Sequence, residues 1–133
     1  MASRVLVAAQ TTPGQFPALQ PGAGSLAIGF QAADASNFNY CLLGTKTYLL
    51  AMNTDSGAHT VTISSVTDAQ TRKGDITTYN LPAITGTTPI IAQFGPFSVS
   101  PAGWLTPTDG TTPAGLWFAA SDATVKFAVI TLP

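Results

Sequence analysis

Charge is what this sequence has least of. Only 8% of its 133 residues are charged, against roughly 25% in an ordinary soluble domain. All six acidic residues are Asp, with no Glu, and five basic residues leave a formal charge of −1. No basic patch is on offer to a nucleic acid or an anionic membrane, so neither is expected as a partner. The missing Glu removes the usual closing ligand of a calcium loop. Long apolar runs are missing too. Those present are short and broken by Gly, Pro and Thr, well below the ~20 residues that cross a bilayer as a helix. The opening MASRVLVAAQTTPG has too short an apolar run for a secretory leader, and Arg4 is its only basic side chain. Cysteine is reduced to Cys41, which excludes an internal disulfide and suits a protein folded in a reducing compartment. Its expected place is that of a small buried hydrophobe.

The same scarcity thins out the catalytic options. A Ser-His-acid hydrolase needs a base, and His59 is the one histidine; no Gly-x-Ser-x-Gly stretch accompanies it. It is read as a polar residue at the start of a strand. One His, one Cys and scattered Asp provide no short-range pair of metal ligands. Asp55, Asp68, Asp75, Asp109 and Asp122 mostly sit beside Gly, Ser or Ala, which is turn chemistry. Gly22-Ala23-Gly24-Ser25 and Gly44-Thr45-Lys46 lack the spacing of a phosphate loop. No pair of carboxylates stands out for glycoside hydrolysis. The expectation is a protein without enzymatic activity, cofactor or metal.

What the chain does contain is 45% hydrophobic residues together with 12 Gly and 10 Pro. The Gly and Pro punctuate short runs of β-branched and aromatic residues, the pattern of many strands joined by turns. Strands are predicted near 4–8, 25–31, 40–43, 47–53, 60–65, 75–81, 89–97, 115–120 and 124–132. Around 27–35 there is enough Ala for one helical turn, but not for a helix. In HTVTISSV, Val61, Ile63 and Ser65 fall on one face and Thr60, Thr62 and Ser64 on the other, so one face is buried and one is wet. In TVKFAVITL only Lys126 is clearly polar. That strand is expected to be covered on both sides, as a central strand or against a neighbouring subunit. The fold class is therefore all-β, a single domain over 1–133, with a jelly-roll-like β-sandwich as the architecture and a closed barrel as runner-up.

Residues 9–25, AQTTPGQFPALQPGAGS, have three prolines, three glycines and little periodicity. Long irregular segments inside small domains are often functional. This one reads as an extended arm or loop in which Phe16 and Leu19 are apolar anchors, either for a neighbour or for the domain's own core. Few charges point the same way. A surface of Thr, Ser, Gln and Asn would suit a monomer, but a subunit whose outer faces lie against neighbours needs even less charge. Sugar binding is the competing use of the aromatic residues. Trp104, Trp117, Tyr40, Tyr48 and Tyr79 can stack on sugar rings, although Trp117 in GLWFAA also reads as a core residue and Trp104 as a loop closing on a sheet edge.

QTRKGDITTY (70–79) holds Lys73-Gly74-Asp75, close to the Arg-Gly-Asp tripeptide of adhesive proteins. The strand that follows at once favours a turn or bulge, with Gly74 at positive φ and Asp75 bonded to nearby backbone or to Arg72.

Three stretches together resemble a group of small tailed-bacteriophage structural proteins: VTISSVTDAQTRKGDITTYNLPA (61–83), QFGPFSVSPAGW (93–104) and GLWFAASDATVKFAVITLP (115–133). The resemblance spans roughly the C-terminal half; the first 55 or so residues carry none of it. It implies a capsid auxiliary or decoration (cement) protein, bound outside the phage head to the major capsid protein and assembled as a homo-oligomer, with a trimer favoured. Phe16, Leu19, Arg72, Asp75 and Ile130 are then the expected capsid or inter-subunit contacts. The alternatives are a carbohydrate-binding, host-adhesion module and a head–tail connector or tail subunit.

Overall fold

Alternation of apolar and polar side chains dictates the secondary structure. In the computed structural model, which describes residues 3–11, 28–44, 46–66, 76–97 and 104–132, ten strands and no helix are found among those residues. They are β1 (Val5–Leu6), β2 (Ala9–Thr11), β3 (Gln31–Ala32), β4 (Asn39–Cys41), β5 (Lys46–Asn53), β6 (His59–Ile63), β7 (Ile76–Leu81), β8 (Ile90–Phe97), β9 (Leu116–Ala120) and β10 (Val125–Leu132). They form two mixed sheets. Sheet A runs β1-β4-β9-β6-β7, and sheet B runs β2-β10-β5-β8 with β3 beside the first part of β10. The β1–β4 and β2–β10 pairs are parallel and the other pairs antiparallel.

The two sheets face each other across one apolar core. Sheet A contributes Cys41, Val61, Ile63, Leu81, Leu116 and Phe118; sheet B contributes Leu49, Ala51, Phe94, Val125, Phe127 and Val129. Phe118 and Phe127 meet edge to face across the layers, with ring centroids 4.7 Å apart and planes at 73°, the arrangement that ring quadrupoles favour. Each fully buried side chain of this size contributes about 1.5–3 kcal/mol of transfer free energy. The in-out pattern expected for Val61, Ile63 and Ser65 is present, all three being buried.

Two buried asparagines tie loops to the layers, as buried amides must find partners. Asn39 donates to the Val5 carbonyl and accepts from the Asp34 amide, at 3.2 and 2.9 Å. Asn53 donates to the carbonyls of Gly57 and Pro82 and accepts from the Asp55 amide. Between β5 and β8 the register shifts at Thr47–Leu49. Gly95 lies there at φ +119°, where a Cβ would stand 2.8 Å from the Thr47 carbonyl oxygen, so the irregularity requires glycine.

Three sequence expectations change. The strand expected over 4–8 narrows to β1, and a second strand, β2, follows it directly: β1 joins sheet A and β2 joins sheet B, so the chain crosses between layers at Val7-Ala8. Of the strand expected over 25–31, only Gln31 of the described residues is in a strand. Of the segment 9–25, residues 9–11 belong to β2 and 12–25 lie outside the described residues. The C-terminal strand is central in its sheet, flanked by β5 on one side and by β2 and β3 on the other.

Candidate functional site

The sandwich turns two unlike faces outward. On sheet B the outward positions of β5 are Lys46, Tyr48, Leu50 and Met52, and those of β10 are Lys126, Ala128 and Ile130; the register sets Tyr48 beside Ile130, Leu50 beside Ala128, and Met52 beside Lys126. On β8, Ile91 lies beside Met52 and Gln93 beside Leu50. Ile91 is 53% exposed. The result is an apolar band in which Ile91 is exposed, Tyr48, Met52 and Ile130 are half-buried, and Leu50 and Ala128 are buried; its only charged neighbours on these positions are two lysines. Gln10 of β2 stands beside Ile130, and its amide grips the backbone of Gly29, accepting from the N–H and donating to the C=O at 2.9 and 2.8 Å.

Sheet A has its chemistry at the β1-β4-β9 edge. Arg4 precedes β1 and points outward, because Val7 is buried and Val5 pairs with buried Asn39. Its guanidinium lies between two rings, 5.2 Å from the centroid of Phe38 and 4.7 Å from that of Trp117, a cation–π arrangement on both sides. Nη1 donates to the carbonyls of Asn39 and Phe118, each at 3.2 Å. Partial burial lowers the Arg4 pKa, and the field of Asp109 opposes that shift.

Two carboxylate-centred turns wall this position. In the first, Asp34 Oδ1 accepts from the amides of Ser36 and Asn37 at 3.0 and 2.8 Å, and its carbonyl accepts from the Phe38 amide. Phe38 is held at φ +67°, a conformation that costs a bulky residue on the order of 1–3 kcal/mol, and its ring stays 42% exposed. In the second, Asp109 Oδ1 accepts from the Thr111 and Thr112 amides and the Thr111 hydroxyl, at 2.9, 2.8 and 2.9 Å. Those bonds, that from the Thr112 amide first, pull its pKa down to about 2. The bond from the Asn37 amide leads in lowering that of Asp34. Thr112 joins the turn to the sheet by accepting from the Arg4 amide at 2.9 Å. Together these groups enclose a cleft of about 230 Å³.

No protein-family model, curated protein or solved structure matches this chain.

A third cluster joins two turns at the end of the sandwich. His59 Nε2 is 2.9 Å from Asp55 Oδ2 and 3.1 Å from the Thr124 hydroxyl. The Thr124 hydroxyl lies 2.9 Å from Asp122 Oδ1, which can only accept. That bond uses its single proton, and Asp55 Oδ2 also can only accept, so Nε2 carries a proton that goes to Asp55 and can at most be shared with Thr124. A nucleophile would give its proton to the imidazole; here the polarity is reversed, and the cluster ties the β5–β6 turn to the β9–β10 turn. Among the described residues no three His, Cys, Asp or Glu side chains gather where they could hold a metal ion.

Of the residues singled out from sequence, Ile130 lies half-buried on the outer face of sheet B. Phe16, Leu19, Arg72 and Asp75 lie outside the described residues. Trp104 packs on the core, edge to face with Phe97 at 4.9 Å, so its ring is not a free platform. Trp117 reverses its expected core role: its neighbours Leu116 and Phe118 take the inward positions, leaving the indole outside against Arg4. Cys41 is fully buried, and burial pushes its thiol up to about 12. Arg4, Phe38 and Asp34 escaped the sequence reading. The available signal was an isolated Arg in a chain with only five basic residues.

Proposed function

We propose that this chain is a structural virion protein of a tailed bacteriophage, a capsid decoration (cement) protein that binds the outer surface of the head. In this reading it is a jelly-roll-like subunit made in the host cytoplasm, assembled as a homotrimer, and its partner is the major capsid protein. The observation that carries the proposal is the outer face of sheet B, where Tyr48, Leu50, Met52, Ile91, Ala128 and Ile130 form one band without an acidic group. Ile91 and the half-buried Tyr48, Met52 and Ile130 carry the outward apolar surface of that band; exposed apolar patches mark interaction sites, and a cementing protein works by burying area at roughly 25 cal/mol per Å² less the cost of ordering. The resemblance of 61–83, 93–104 and 115–133 to phage structural proteins supplies the identity of the partner.

The segment 12–25 is proposed as an arm that reaches a neighbouring subunit or the capsid, with Phe16 and Leu19 as its anchors. It leaves from the end of β2, and the chain is next gripped at Gly29 by Gln10, at the same edge of β10.

Copy number and position in purified virions test the proposal. Hundreds of copies spread over the head are expected. Six or twelve copies at one vertex would overturn decoration in favour of a connector. Replacing 12–25 by a short Gly/Ser linker is expected to abolish capsid binding with the sheets intact; binding at full affinity would remove the arm from the proposal.

A further inference from the structure

We propose that the cleft around Arg4 is a binding site for a neutral saccharide, a function separate from capsid attachment and located on the opposite face of the sandwich. A cation is excluded because Arg4 already occupies the position between the Phe38 and Trp117 rings. An anion is opposed by Asp109, which lines the cleft and is held ionised by its turn. A purely apolar ligand would strip water from these charged groups without replacing its hydrogen bonds. What remains is a neutral ligand with many hydroxyl groups and an apolar side.

A pyranose ring has that form. Its C–H face is apolar and weakly positive, and it meets the negative face of an aromatic ring favourably. Phe38 is 42% exposed, with Arg4 against one of its faces. The ring hydroxyls then need donors and acceptors side by side. Arg4 bonds the protein backbone through Nη1 alone, which leaves its Nε and Nη2 as donors. Asp109 takes its turn bonds on Oδ1, which leaves Oδ2 as an acceptor. A neighbouring donor and acceptor of this kind suit a vicinal pair of hydroxyls. The volume of about 230 Å³ is below the ~300–1,000 Å³ of pockets for drug-sized molecules and fits a single sugar unit.

The site is also preorganised. Phe38 is fixed at positive φ by the Asp34 turn, and Asp109 by three bonds to its own loop. Residues held in sparsely populated backbone conformations cluster at functional sites. Rigid walls reduce the ordering cost that weakens the binding of small ligands. A trimeric assembly would present three such clefts to a polysaccharide, raising avidity over the single site by roughly 10²–10⁴ where the spacing matches.

The test is binding of the full-length protein to an immobilised panel of neutral hexose and N-acetylhexosamine oligosaccharides, with sialylated and sulfated oligosaccharides on the same panel. Binding to one or more neutral glycans is expected, with little change between low and high salt. Phe38→Gly removes the ring while easing the backbone, so the fold is expected to survive and affinity to fall at least about tenfold. Asp109→Asn is expected to weaken binding, and Ile91→Asp, on the other face, to leave it unchanged. Binding confined to the acidic glycans, binding to none of the panel, or binding that withstands both Phe38→Gly and Asp109→Asn would each overturn the proposal. None of these results bears on capsid attachment, which Ile91→Asp is expected to disturb.

Discussion

The two outward faces share one core yet are built on opposite rules. Sheet B turns out the half-buried Tyr48, Met52 and Ile130 and the exposed Ile91 around a buried Leu50 and Ala128, an apolar surface that a flat partner can cover. Sheet A turns out Thr60, Thr62 and Asn80 on β6 and β7, then ends at a cleft lined by a stacked guanidinium and the Asp109 carboxylate. The contrast arises from how each sheet ends. Sheet B borders on short strands that add only Gln10, whereas sheet A borders on turns centred on Asp34 and Asp109. A band without acidic groups suits burial of area; a cleft with paired donors and acceptors suits recognition of a small polar ligand.

The largest effect should come from the shared core, where the faces cannot be separated. Phe118→Ala or Phe127→Ala is expected to cost about 3–5 kcal/mol by denaturant unfolding and to weaken both proposed binding functions together. Next comes Gly115→Ala. A Cβ there would run into the Cys41 carbonyl, so β4 and β9 must part, at about 1–3 kcal/mol. The cleft should suffer and the sheet B band should not, which amide chemical shifts on the two sheets would report. If both sheets shift equally, the faces are not independent.

Acid should distinguish the faces more gently. The folded pKa of Asp109 is about 2, below the ~3.9 of an unfolded Asp. Its contribution to stability is therefore complete above about pH 4 and is lost as pH falls through about 2. The Thr111 and Thr112 amide resonances should move over that range, and Asp109→Asn should abolish the movement. No carboxylate lies on the outward positions of β5, β8 or β10, so direct titration should leave their signals unmoved. The smallest change in stability belongs to Ile91→Asp. At an exposed position it should stay within about 0.5 kcal/mol while weakening association, read by sedimentation and by capsid binding.

Much of the layering was legible in the sequence, because it rests on local alternation. HTVTISSV announces a strand with one buried face, and TVKFAVITL announces the central strand of its sheet. The switch of layer at Val7-Ala8 was not legible: no glycine, proline or polar residue marks it, and only pairing with distant β4 and β10 divides the run. Nor does LWFAA reveal which parity faces in, since Leu116, Trp117 and Phe118 are all large and apolar. The cleft was the least legible. Arg4 and Trp117 stand 113 positions apart and meet only because β1 and β9 both pair with β4. Asp34, in a run of Ala, Ser and Asn, looks like any turn former until Phe38 is seen to depend on it.

The grip of Gln10 on Gly29 has a consequence for engineering. It pins the chain on both sides of residues 12–27, so the closure of that stretch is set at its two ends. Doubling the number of residues between fixed ends adds only about 0.6 kcal/mol of closure entropy. An epitope, an enzyme tag or a targeting peptide inserted there would hang from the edge of sheet B at little cost to the fold.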